Sequence, residues 1–156
     1  LSTINVYGGK PKEVPLKYDI VCAGSALDGY YLVKVSAYAD KSSQISNDLV
    51  KKCAIHGVLF RGFSGSNGCT SQKPLALSPS TEQEHNDFFK AFVSNGGKYM
   101  NYATIIDGSI TTEKVGKQYK ITATISIAKT ILRNDLEKAG IIKSLSNGFK
   151  KNKENE

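Results

Sequence analysis

The sequence predicts an α+β domain, a mainly antiparallel sheet with helices packed on one face. Three observations carry that prediction. Residues 17–39 and 119–127 alternate apolar and polar side chains with a period of two, as half-buried strands do. Residues 43–55, 81–95 and 130–139 repeat apolar side chains every three or four positions, as amphipathic helices do. The strand pairs are joined by short glycine turns and not by helical crossovers, so neighbouring strands run antiparallel. The expected order is ββα-β-loop-α-ββ(β)-α in a single domain spanning 17–149.

Residues 1–16 hold Gly8-Gly9, Pro11 and Pro15 with few apolar anchors, and are expected to form an extended arm or linker. The chain begins with Leu1, which suggests that a preceding segment was removed, by a signal peptidase or by the choice of expressed boundaries. Residues 17–39 then read as a hairpin. Tyr18, Ile20 and Cys22 alternate on its first strand, and Tyr31, Val33, Val35, Ala37 and Ala39 on its second. Asp28-Gly29 supplies the turn, because glycine accepts positive φ there.

Residues 43–55 place Ile45, Leu49, Val50, Cys53 and Ala54 on one helical face, with Ser42 or Ser43 as cap. Gly57 reads as the stop. The apolar run Val58-Leu59-Phe60 then reads as a central strand buried on both faces. Residues 62–80 are rich in Gly, Pro and Ser, and are expected to be a long functional loop.

The second helix, 81–95, opens on Thr81-Glu82-Gln83-Glu84, a capping-box pattern with Thr81 as N-cap. Phe88, Phe89, Phe92 and Val93 form its stripe, and Asn95-Gly96-Gly97 ends it. Tyr99 to Tyr102 fits a helical turn or a strand. A strand over 109–115 and a turn at Gly116-Lys117 lead to the cleanest alternation in the chain. There Tyr119, Ile121, Ala123, Ile125 and Ile127 face inward and Lys120, Thr122, Thr124 and Ser126 outward. The last helix, 130–139, is capped by Thr130 and closed by Gly140. Ile141, Ile142, Leu145 and Phe149 are expected to pack back on the body, and Lys150 to Glu156 to form a charged flexible tail.

At 156 residues with 40% hydrophobic and 22% charged side chains, the chain has the composition of one folded domain. No apolar run reaches the roughly 20 residues a membrane-spanning helix needs. The net charge of +7 is spread evenly along the chain, which favours a solvated basic surface over a dedicated polyanion site.

Catalytic and metal chemistries find no pattern to rest on. His56 and His85 stand 29 residues apart, with no C-x-x-C or H-x-x-x-H spacing, so neither a metal nor another cofactor is expected. Gly62-Phe63-Ser64-Gly65-Ser66 misses the final glycine of a nucleophile elbow. Glycines 62, 65 and 68 space like a phosphate loop, but Gly68 is followed by Cys69 and not by the required Lys-Ser/Thr. Glu82 and Glu84 are explained by capping. No catalytic residue is expected, and the chain reads as a non-enzyme.

The three cysteines leave two arrangements open: three reduced, mostly buried thiols, or a Cys53–Cys69 disulfide in an exported protein. In both, Cys22 reads as a small buried hydrophobe between Val21 and Ala23.

The segment Val50-Lys51-Lys52-Cys53-Ala54-Ile55-His56-Gly57-Val58-Leu59-Phe60-Arg61-Gly62-Phe63 resembles a family of small, uncharacterised exported bacterial proteins. Tyr18-Asp19-Ile20-Val21-Cys22-Ala23-Gly24, Tyr31-Leu32-Val33-Lys34-Val35 and Leu136-Glu137-Lys138-Ala139-Gly140-Ile141-Ile142 support the resemblance. It implies export to the cell envelope (periplasmic, outer-membrane-associated or secreted) and carries no known chemistry. More distantly, a hairpin followed by a helix feeding a strand is similar to envelope-assembly lipoprotein domains, an analogy of architecture alone.

The expectation is therefore a non-catalytic, extracytoplasmic binding or assembly module. Its contact surface is expected on the long loop at Arg61, Phe63, Asn67 and Lys73. Its partner would be a protein or an envelope component, with a second copy of the chain also allowed. The alternative is a nucleic-acid-binding module that stacks bases on sheet-face tyrosines among Tyr30, Tyr31, Tyr38, Tyr99, Tyr102 and Tyr119, beside Lys34 and Lys120.

Overall fold

A computed structural model describes residues 16–65, 68–78, 80–94 and 96–143. Among them, four α-helices pack against one face of a five-stranded antiparallel sheet, the α+β class the periodicities predict. The expected arm up to residue 15, the tail from 150, and Asn67, Asn95, Leu145 and Phe149 lie outside the described residues. Leu16, at the end of the expected arm, is partly buried against the core.

Strands β1 (Lys17–Gly24) and β2 (Tyr31–Ala39) form the predicted hairpin. Strand β5 (Gln118–Ile127) pairs with β2 along nine residues, from Tyr31↔Ile127 to Ala39↔Tyr119. The far edge of β5 is shared by two short strands. β3 (Ala103–Ile105) covers its C-terminal part, and β4 (Thr111–Val115) its N-terminal part, joined by the Gly116-Lys117 turn.

The period-two pattern sets which face is dry. Val33, Val35, Ala37, Ile121, Ala123, Ile125 and Ile127 project from neighbouring strands into one core, each at 0–1% exposure. Helix α1 (Asn47–His56) lies across this face and buries Val50, Cys53, Ala54 and Ile55. Its N-cap is Ser46, whose hydroxyl accepts from the Leu49 amide at 3.1 Å. Helix α4 (Lys129–Lys138) adds Leu132 and Leu136 to the same core. The opposite sheet face carries Lys17, Asp19, Lys34, Ser36, Tyr38, Lys120, Thr122 and Thr124.

The expected strand at Val58–Phe60 is absent. Helix α1 instead runs on through Gly57 into a π-helical turn over Gly57–Arg61. Gly57 keeps right-handed helical angles (φ −62°, ψ −47°), so it is not a stop. A Cβ there would come within 2.8 Å of Ile20 Cδ1 and 3.2 Å of Tyr18 Cε2, so the missing side chain is what lets β1 lie against the helix end. The carbonyls of Val58 and Leu59 are taken by the loop, accepting from the amides of Leu75 and Ala76 at 3.0 and 2.9 Å.

The helix predicted over 81–95 is two short ones, α2 (Thr81–Glu84) and α3 (Asn86–Phe92), broken at His85 (φ −117°, ψ 36°). The cap also moves. Ser80 precedes α2 and its hydroxyl donates to Glu84 Oε1 at 2.7 Å, while Thr81, the expected cap, is the first helical residue and is buried. The aromatic stripe packs as foreseen, with Phe89 against Phe60 and Phe92 stacked on Tyr102. At the last helix the expected cap, Thr130, lies inside α4, and its amide donates to the Gly29 carbonyl of the first hairpin's turn at 3.2 Å.

Candidate binding surface around the clasped loop

The loop that follows the π turn is stitched to the body at four kinds of contact. Phe63 and Gln72 exchange backbone hydrogen bonds at 3.0 and 2.9 Å, folding the segment back on itself. The Cys22 amide of β1 donates to the Ser64 carbonyl at 2.9 Å. Leu75 and Ala76 bond the π turn, as above. A disulfide joins Cys69 to Cys22, 47 residues apart in sequence. This pairing corrects both cysteine arrangements drawn from the sequence. Cys53, the expected partner, is a free thiol with no exposed surface, inside α1. Alternation places the Cys22 side chain on the helix-facing side of β1, where the loop returns, and Cys53 on the core side of its helix.

Two of the four expected contact residues present themselves to solvent. Arg61 is exposed, and its guanidinium carbon sits 4.2 Å from the centre of the Tyr18 ring. Lys73 is exposed on the returning limb of the loop. Phe63 turns inward, 7% exposed, with its ring edge-on to Tyr31 at 5.1 Å. It fixes the loop to the core and does not offer its own surface. Asn67 lies outside the described residues.

Beneath Arg61 the structure assembles a chain of polar groups that no sequence pattern marks. The Tyr18 hydroxyl donates to His56 Nδ1 at 2.7 Å, and His56 Nε2–H donates to Glu82 Oε2 at 3.0 Å. The three come from β1, the C-terminus of α1 and the first turn of α2, so one imidazole bridges three segments. The order carboxylate, imidazole, hydroxyl is that of a nucleophile relay, with a phenol at the nucleophile's place. Its environment works against that chemistry. Burial pushes the Tyr18 phenol well above its usual range, against the opposing pull of Arg61, so the hydroxyl stays protonated. Tyr18 is 7% exposed and roofed by Arg61. Burial also lowers the His56 pKa, partly offset by the charge and hydrogen bond of Glu82. The neutral imidazole this favours matches the observed pattern of one accepting and one donating nitrogen. The arrangement braces the loop's base. Its only sequence hint is a histidine in the last turn of a helix; its partners are 38 and 26 residues away.

On the other side of the disulfide, a cleft of about 270 Å³ opens between the β1–β2 turn and the loop, walled by Tyr30, Tyr31, Gln72, Cys69 and Lys129. Tyr31 donates to Gln72 Oε1 at 3.3 Å, and the Lys129 ammonium lies 4.3 Å from the centre of the Tyr31 ring.

The strand register distributes the tyrosines of the stacking alternative. Tyr31 and Tyr119 lie on the helix-covered side with Ile127 and Ala39, and Tyr99 and Tyr102 are buried. Tyr38 is the one strand tyrosine of that set on the open face, where Lys120 sits 5.8 Å from its ring centre.

Among the described residues no three His, Cys, Asp or Glu side chains gather closely enough to hold a metal ion. None of their helices is long and apolar enough to cross a membrane. The chain matches no protein-family model, no curated protein and no solved structure.

Proposed function

We propose that the chain is a non-catalytic, extracytoplasmic binding or assembly module of a bacterial cell envelope, and that the face carrying Arg61 and Lys73 contacts its protein or envelope partner. The observation that carries this reading is the Cys22–Cys69 disulfide. Disulfides persist in oxidising compartments and are rare where thiols are kept reduced. This one also pins a long surface loop against β1, and a contact surface that is already ordered binds with less entropic cost. The Tyr18–His56–Glu82 brace supports the same reading, because it spends its polar groups on holding the loop's base.

Two measurements test the proposal. Protein trapped with an alkylating agent at cell lysis and then denatured should show one reactive thiol, Cys53; three would remove the extracytoplasmic assignment. A photo-crosslinking residue at Lys73 should give a defined adduct in intact cells, lost with Arg61→Ala, while the same residue at Lys114, on β4, gives none. Equal adducts at both positions would remove the loop as the contact face.

A further inference from the structure

We propose that the cleft beside the disulfide binds a sugar ring that bears a carboxylate. The inference rests on the binding-module reading and names one kind of envelope component that the module takes.

The charge in the lining sets the sign of the ligand. Among the described residues Lys129 is the one charged side chain in the wall, and no Asp or Glu lines it. The ammonium is held over the Tyr31 ring at 4.3 Å, so the cation is positioned before any ligand arrives. One fixed positive charge matches the single negative charge of a carboxylate; a phosphate monoester carries about −1.5 to −2 at neutral pH and would be left partly uncompensated.

Tyr30 is 40% exposed at the cleft mouth. Gln72 has its amide oxygen occupied by the Tyr31 hydroxyl, which leaves its NH2 as a donor. A pyranose has an apolar C–H face that lies on an aromatic ring and hydroxyls that take such donors. The wall is more polar than apolar, unlike a lipid-chain site. Its volume of about 270 Å³ falls just below the roughly 300–1,000 Å³ of drug-sized sites, room for one ring and not for a long chain.

A peptide bound as an added strand would need a free strand edge. Beside this cleft β1 already has Ser64 on its outer edge through the Cys22 amide, and β2 is paired on both sides.

The test is a titration of the full chain followed by amide nuclear magnetic resonance shifts, with sodium D-glucuronate as probe, D-glucose as the uncharged ring and acetate as the carboxylate without a ring. Glucuronate should move the amides of Tyr30, Tyr31, Gln72 and Lys129 with a dissociation constant on the order of 1–10 mM. Glucose and acetate should each bind at least about fivefold more weakly. Lys129→Met should bring glucuronate down to the level of glucose. Tyr30→Ala, at an exposed ring that the core does not need, should weaken glucuronate and leave acetate unchanged. Absence of shifts at about 50 mM glucuronate, shifts confined to other residues, or acetate binding as well as glucuronate would overturn the proposal. Loss of glucuronate binding with the Lys73 crosslink intact overturns this inference alone. Loss of the crosslink with glucuronate bound overturns the contact face and leaves the cleft standing.

Discussion

Tyr18 and His56 are joined by a 2.7 Å hydrogen bond that links the first strand to the end of the first helix. The bond is directional. The buried phenol holds its proton and donates, and His56 Nδ1 accepts. Replacing Tyr18 with Phe keeps the ring that supports Arg61 and removes only the donor, leaving Nδ1 part-buried without a partner. The expected cost is about 1–2 kcal/mol of stability, read from the urea midpoint with an unchanged slope. A variant as stable as the parent would show that the bond contributes nothing.

His56 also gives stability a pH dependence of definite sign. Its pKa is lowered in the folded chain, by burial first and by Arg61 in addition, with Glu82 opposing. The unfolded chain titrates near the ordinary histidine value of 6.5. Between the folded value and 6.5 the unfolded state binds a proton that the folded state does not, so stability rises with pH there. The contribution is complete above 6.5 and is lost as pH falls below it. Urea midpoints from pH 7.5 to 5.5 should fall, and His56→Gln should flatten that part of the profile. A parallel decline in both proteins would place the sensitivity elsewhere.

The sheet was legible in the sequence because period-two alternation survives wherever one face is dry and the other wet. The first hairpin and β5 are cases of this, and so is the choice of helix-covered face. Val58-Leu59-Phe60 was not legible. Three apolar residues after a glycine read equally well as a buried strand and as the last turn of a buried helix. What decides is Gly57 packing on Ile20 and Tyr18, a contact between segments 37 residues apart. The candidate site divides in the same way. The exposure of Arg61 and Lys73 followed from their place at the start of and within a glycine-rich loop. The Cys22–Cys69 pair and the Tyr18–His56–Glu82 chain exist only because the loop folds back over β1, and no local pattern encodes that.

The disulfide closes a covalent loop of 47 residues and so restricts the unfolded chain. For 47 residues the chain-entropy model gives a stabilisation of about 4 kcal/mol. A Cys22→Ser/Cys69→Ser variant should lose about 2–4 kcal/mol in denaturant unfolding. Cys53→Ser should leave the response to reductant intact, because that thiol is unbridged, and burial raises its pKa to about 12. Reductant sensitivity in the double variant, or its loss in Cys53→Ser, would contradict the pairing.

Two glycines of the loop separate backbone strain from steric closure. Gly68 (φ +86°) has nothing within 4 Å of an added Cβ, so Gly68→Ala carries only the left-handed backbone penalty, about 1 kcal/mol. Gly62 (φ +71°) carries that penalty too, and a Cβ there would run into the Gln72 carbonyl oxygen, with Pro74 N at 3.0 Å behind it. These are backbone atoms held by the Phe63–Gln72 exchange, so the obstruction has no rotamer to escape through. Gly62→Ala should therefore cost about 3 kcal/mol and should weaken the Lys73 crosslink as well, because the loop must open to admit the methyl group. Equal unfolding midpoints for the two variants would mean that the loop does not cross itself at Gln72.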